Sequence, residues 1–261
     1  AVFYPELALE AVLESDRMGA FDVLILDEAQ DLLLDSYLDV FDALLGGGLQ
    51  GGTWRVFLDP NQNLFAGLST DVAARLETGG CTIFRLVENC RNTTEIANLA
   101  ALLSSIRLDR TETNGPAVEV SFCRDPAEMR RKASRHVSRL LSGAIKPEEI
   151  VVLSPMTHDR SCLAEGFENV SAPLVDYVPD ADRKGKIAYA TVGSFKGLES
   201  DAVVLVDVDG LGTDWQKSTL YVGTTRARAL LAVFLDSGLK DDYHEAARDF
   251  GELIPGGDQA D

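Results

Sequence analysis

The sequence predicts an α/β protein built on parallel sheets. Two observations predict it. Strand-like and helix-like segments alternate along the whole chain, and the first apolar run, residues 23–26, is continuous, as in a strand covered on both faces. With 261 residues, 46% hydrophobic and 25% charged, the chain has an ordinary globular composition and enough material for one large or two small cores.

Taken in order, the strand candidates are residues 23–26, 54–58, 82–86, 117–122, 150–153, 187–191, 202–206 and 230–235. Helices are expected over 35–45, 93–105, 126–141, 159–168, 215–226 and 240–250. Asp35 and Ser36 can cap the first helix, and Gly46, Gly47 and Gly48 stop it. Pro126 suits the first turn of the third. The stretch 107–116 is polar, ends in Asn-Gly-Pro and precedes a fresh series of strands. A boundary is therefore expected between 88 and 116, with one domain over 1–90, a second over 91–251 and a frayed tail over 252–261. The start, Ala-Val-Phe-Tyr-Pro, reads as a cut through a longer protein.

Composition excludes several classes. No run of 18 apolar residues forms a transmembrane helix, so no membrane partner is expected, and the first residues carry no signal-peptide pattern. Cys81, Cys90, Cys123 and Cys162 lie far apart with no CxxC pair, and the three His are scattered. That disfavours a zinc site or disulfide framework and fits a reducing cytoplasm. The net charge of −18 argues against this piece holding nucleic acid by itself. The densest basic patch is Arg124, Arg130, Arg131, Lys132, Arg135 and Arg139 on the helix expected from 126, and it reads as a solvated helix face.

The chemistry starts at Asp27-Glu28-Ala29-Gln30-Asp31, where the first strand ends in adjacent carboxylates. In open α/β sheets ligands sit outside the carboxyl ends of strands. One acid can hold Mg²⁺ on a nucleotide while its neighbour positions an attacking water, which is the Walker-B half of an NTPase. The stretch Gly46 to Thr53 has no Lys before its Thr and reads as a helix-to-strand connector, so the chain holds no phosphate-cradling loop.

Four further segments follow in order: Asp59-Pro-Asn-Gln62-Asn-Leu-Phe65, Val87-Glu-Asn-Cys-Arg91-Asn, Thr191-Val-Gly-Ser-Phe-Lys196-Gly197-Leu-Glu199, and Tyr221-Val-Gly-Thr-Thr-Arg226-Ala-Arg228. The succession resembles superfamily 1 helicases of the UvrD/Rep type, over residues 21 to 235. The resemblance implies RecA-like domains of the P-loop NTPase type, the first incomplete, with ATP and Mg²⁺ as ligands. It further implies a DNA or RNA single strand, and an N-terminal RecA-like half outside this piece, as partners. In its terms Asp27 takes Mg²⁺ and Glu28 orients or deprotonates the attacking water. Gln62 senses the γ-phosphate, Arg91 and Arg226 stabilise charge on the transferred phosphoryl group, and Glu199 hydrogen-bonds the ribose. Gly197 lets the backbone come close, Gln30 links the site to its neighbours, and Phe65 meets a base. Cys90 stands where the family has Tyr, Gly193 where it has His, and Gly67 at the position of a second aromatic. Between Arg91 and Lys196 there is room for two or three strand–helix units but not for a large accessory domain, so the resemblance points to a compact relative. The alternative is a non-catalytic RecA-like interaction or regulatory module.

Overall fold

The structure, a computed structural model, describes residues 3–59, 76, 80–86, 88–106, 111 and 113–253. The chain divides into two units, Ala1–Leu86 and Val87–Asp261, each with a sheet of its own.

In the first unit β1 (Val23–Leu26) and β2 (Thr53–Val56) pair in parallel, with Val23 opposite Thr53 and Leu26 opposite Val56. Helix α1 (Phe3–Glu14) packs against α2 (Asp35–Leu44), and the single turn α3 (Gly48–Gly51) leads into β2. Leu26, Ala29, Leu33, Leu38, Leu45 and Leu49 form the buried cluster, with Leu24, Phe41 and Trp54 against it. Because successive strand residues point to opposite faces, Leu24 and Leu26 turn inward while Val23 and Ile25 stay exposed, at 50% and 63%. β1 is thus covered on one face only, which corrects the expectation of a strand buried on both. Asp35 is the first residue of α2 and not its cap; Leu34 occupies the cap position and offers no side-chain bond. Residues 46–53 form the expected connector. A Cβ on Gly52 would lie 2.6 Å from the Gly48 carbonyl oxygen and 2.7 Å from that of Gly46, so only glycine fits there.

The strand expected over 82–86 does not form. Residues 81–86 lack regular structure, and Ile83, Phe84 and Leu86 are exposed. An apolar run becomes a strand only where a neighbour takes its backbone groups, and among the described residues β1 and β2 pair solely with each other.

The second unit holds β3 (Glu119–Cys123), β4 (Ile150–Ser154), β5 (Leu174–Asp176), β6 (Ile187–Thr191), β7 (Ser200–Val208) and β8 (Ala227–Asp236). They lie in the order β3-β8-β7-β4-β6-β5, every neighbour parallel. Ile150, Val152, Ile187, Tyr189, Val204 and Phe234 pack beneath Met129, Ala133 and Val137 of α5 (Pro126–Ser142). The alternate residues Val151, Leu153, Val203, Leu205, Leu231 and Val233 are buried on the opposite face. Helices α4 (Thr94–Ser104) and α6 (Asp214–Thr225) pack against each other, and α7 (Lys240–Leu253) follows β8. Two-sided burial is what the continuous apolar runs demand, and each fully buried aliphatic side chain contributes about 1.5–3 kcal/mol. This is the parallel-sheet α/β fold expected. The tail expected over 252–261 begins inside α7, and residues 254–261 lie outside the described residues.

The helix expected over 159–168 is absent. A single 3-10 turn, His158–Arg160, gives way to irregular turns, with Gly166 at φ +74°. Asp207 competes for this segment. Its carboxylate accepts the Ser161 hydroxyl at 2.5 Å, the Ser154 hydroxyl at 2.8 Å and the Cys162 N–H at 2.9 Å. A side chain that satisfies backbone and hydroxyl groups in a turn removes the incentive to form helix. Asp207 reaches them from a bulge in β7, where its own φ is +59°.

Helix α5 starts as expected, with Pro126 in the first turn and the Asp125 carboxylate accepting the Glu128 N–H at 2.7 Å. Its basic face is paired in part. Arg124 and Lys132 pair with Glu128, Arg130 with Glu165, and Arg139 and His136 with Glu119. The Arg124 N–H and then its guanidinium hold the Glu128 carboxyl at about 2. Burial is the main reason the His136 imidazole is pushed below its ordinary value.

Replacing Asp207 by Ala strands two hydroxyls and an N–H inside the second unit. The loss should be roughly 3 kcal/mol or more, read from the urea midpoint, with Asp207→Asn milder. Because the folded Glu128 carboxyl lies below its ordinary 4.5, the contacts at the start of α5 are complete above that pH and are lost as pH falls toward about 2. A carboxyl-carbon NMR titration should show this, and Arg124→Ala should return the Glu128 midpoint toward 4.5.

Candidate nucleotide site

In the first unit, Asp27 and Glu28 follow the carboxyl end of β1. Asp27 is exposed, and one of its oxygens, Oδ1, accepts the Glu28 N–H at 2.9 Å. Glu28 sits at φ +49°, a left-handed conformation that costs a side-chain-bearing residue roughly 1–3 kcal/mol. It turns the chain out of the strand and into the 3-10 turn Ala29–Asp31. Gln30 is buried and bridges two segments. Its amide donates to Glu28 Oε2 at 2.5 Å, and its carbonyl accepts the Asp59 N–H at 3.1 Å. The general-base candidate is thus tied to the start of Asp59-Pro-Asn-Gln62. Gln62 and Phe65 themselves lie outside the described residues.

In the second unit, three distant segments meet at the amino ends of β7 and β8. Arg226 is fully buried. Its Nε donates to the Val222 carbonyl at 3.1 Å and its Nη1 to the Leu198 carbonyl at 3.2 Å. The guanidinium therefore joins the end of α6 to the loop that carries Gly197 and Glu199. Asn92 adds a second tie, its amide donating to the carbonyls of Thr225 at 3.0 Å and Ala227 at 2.6 Å. Gly197 has φ +78°, and a Cβ there would meet nothing within 4 Å, so glycine is required by the backbone angle and leaves open space beside it.

Arg91 and Glu199 come together as an ion pair, Nε to Oε2 at 3.3 Å. Two further residues complete the cluster, and the motifs did not single them out. Arg228 approaches Glu199 Oε1 at 3.6 Å and Asp201 Oδ1 at 3.6 Å. Together with Cys90 and Ala229 these four line an open cleft of about 440 Å³. Asn89 was also missed. Its side chain accepts the N–H groups of Arg91 and Asn92, at 3.1 and 3.2 Å, and so shapes the turn that presents Arg91. The signals were available: Asn before a helix cap, and a second Arg two residues on, at the start of a strand beside the one that begins after Glu199.

Among the described residues no group of three or more His, Cys, Asp or Glu could hold a metal by itself. All four cysteines are free. Burial pushes the Cys123 thiol up to about 11 and raises that of Cys162 as well, so neither is a thiolate at neutral pH. No helix among the described residues is long and apolar enough to cross a membrane.

Comparison with known families supplies a match at this point in the chain. Residues 186–234 match the family of the UvrD-like helicase C-terminal domain. The matched segment runs from the start of β6 into β8 and contains Gly197, Glu199, Arg226 and Arg228; it is the family that the motifs resemble. A solved structure of the C-terminal domain of a possible DNA helicase from Lactobacillus plantarum WCFS1 is 12% identical, with a TM-score of 0.47 over 56% of this chain and 87% of that one. No curated protein matches the chain.

Arg226→Lys keeps the charge but loses the planar fork that serves two carbonyls. It should cost roughly 3 kcal/mol in chemical denaturation. A variant within 0.5 kcal/mol of the parent, the usual range of a neutral surface change, would show that the guanidinium does not hold the loop.

Proposed function

We propose that the chain is part of an ATP-dependent, helicase-like protein and supplies two sets of groups to nucleotide hydrolysis: Asp27, Glu28, Gln30 and Gln62 from the first unit, and Arg91, Gly197, Glu199 and Arg226 from the second. The observation that carries the reading is the convergence of Arg91, Glu199 and Arg226. These residues come from three separate motifs, yet one pair touches through a salt bridge and the third anchors the intervening loop. The match of residues 186–234 to the helicase C-terminal family supports it from an independent direction.

The acids fit a Mg²⁺ nucleotide. Mg²⁺ is commonly bound through one or two carboxylates plus substrate phosphates, and the exposed Asp27 carboxylate, with only Oδ1 taken by the Glu28 N–H, suits that part. Bound there, the ion would neutralise charge on the triphosphate. Glu28, held by the Gln30 amide, orients the attacking water and takes its proton. Arg91 stabilises charge growing on the transferred phosphoryl group, because a guanidinium stays protonated and offers several N–H donors to phosphate oxygens. Glu199 receives the ribose hydroxyls. The work of hydrolysis is spent on moving along a single strand of DNA or RNA, in a cytoplasmic setting.

One observation favours the alternative of a non-catalytic module. The Arg226 guanidinium is fully buried and donates to backbone carbonyls, which is how a structural arginine behaves.

In the full-length protein Glu28→Gln should abolish ATP turnover, by a hundredfold or more as expected of a lost general base, while sparing ATP binding. Normal turnover in that variant removes Glu28 from the mechanism. Single-stranded polynucleotide should stimulate the ATPase with a steep dependence on salt, and an ATPase indifferent to it would count against movement along a strand.

A further inference from the structure

We infer that Glu199 latches Arg91, that nucleotide opens this latch, and that Arg228 is the positioning residue that keeps Glu199 in place during the exchange. The inference rests on the nucleotide reading above and specifies how that site responds to its ligand.

The geometry divides one carboxylate between two guanidiniums. Arg91 Nε takes Oε2 at 3.3 Å and Arg228 Nε approaches Oε1 at 3.6 Å, while Arg228 Nη1 also reaches Asp201 at 3.6 Å. Two cations and two anions balance, so the Arg91 charge is engaged within the cluster. The supports differ. Glu199, Asp201 and Arg228 sit at the amino ends of paired strands, where Ser200 is in register with Ala227 and its N–H donates to the Arg226 carbonyl at 2.9 Å. Arg91 comes from the Asn89 turn ahead of α4. The strand-borne pair is the fixed side of the latch and Arg91 the side that leaves.

A ribonucleotide offers each partner of the Arg91–Glu199 pair its replacement. Sugar hydroxyls donate to a carboxylate, and phosphate oxygens accept from a guanidinium. The cleft, about 440 Å³, is large enough for a nucleoside as well as a phosphate. The paired side chains are 42% and 44% exposed, and such pairs hold weakly, as an exchangeable contact must. With Oε1 still facing Arg228, only Oε2 changes partner, and Arg91 is released toward phosphate only when a sugar has taken its place.

The test follows the arginine Nε–H resonances of the full-length protein by NMR during titration with ATP and, separately, with inorganic tripolyphosphate, which has the phosphates but no sugar. ATP should move the Arg91 Nε–H signal toward its position in Glu199→Gln and leave that of Arg228 unmoved; tripolyphosphate should do neither at the same concentration. In Arg228→Gln the ATP midpoint should rise by up to about fivefold, the worth of one exposed ion pair. A purely electrostatic role for Arg228 would alter the response to tripolyphosphate equally. Saturable ATP shifts that leave the Arg91 signal in place, that move Arg228 with it, or that tripolyphosphate reproduces overturn the latch and leave the nucleotide reading standing. An unchanged midpoint in Arg228→Gln removes Arg228 from the positioning role. ATP titration without a saturable shift at any residue overturns the nucleotide reading and the latch together.

Discussion

The second unit depends on the way one buried cation is satisfied. Burying a guanidinium is tolerable only if acceptors replace water, and Arg226 finds them in the carbonyls of Val222 and Leu198. Both carbonyls belong to places where regular structure stops: the last turn of α6 and the loop before β7. The same residue therefore closes a helix, anchors a glycine-containing loop and sets the approach of two strands. Asn92 repeats the device from a third segment. The Arg91–Glu199–Arg228 cluster is arranged on top of this frame, which explains why side chains as exposed as these have a defined neighbourhood at all.

Much of this architecture was legible from residues alone. β1 and β6 have the bounds expected because each is a continuous apolar run ended by polar residues. The start of α5 follows from Asp125 and Pro126. The misses have physical causes. Residues 82–86 look like a strand but have no partner among the described residues, and pattern reading assumes one. Residues 159–168 look helical until Asp207, distant in sequence, claims their hydroxyl and N–H groups. β5 is three residues long, too short to announce itself, and α1 turns Phe3, Tyr4, Leu7 and Leu13 outward instead of presenting one apolar stripe.

The motifs located Arg91, Glu199 and Arg226 because their spacing is particular, but spacing is silent on burial. Sequence could not separate an arginine held by carbonyls from one in an open cleft, since that depends on which loop lies over it. Nor could it foresee that four cations of the basic stripe, Arg124, Arg130, Lys132 and Arg139, would be answered by Glu119, Glu128 and Glu165. The excess of acid over base is a property of the total; locally, this helix keeps a basic surplus at Arg131 and Arg135.

Glu28 carries a consequence of its own. Glycine is the residue that relaxes a left-handed turn, so a chain tuned for robustness alone would place one at this position. The glutamate keeps the carboxylate at the cost of a tense main chain, and Gln30 supplies a neighbour that holds it so. Thermal hardening of this protein and preservation of its acid pair are therefore opposed aims at position 28, and a screen for heat resistance would tend to erase the very group that chemistry needs.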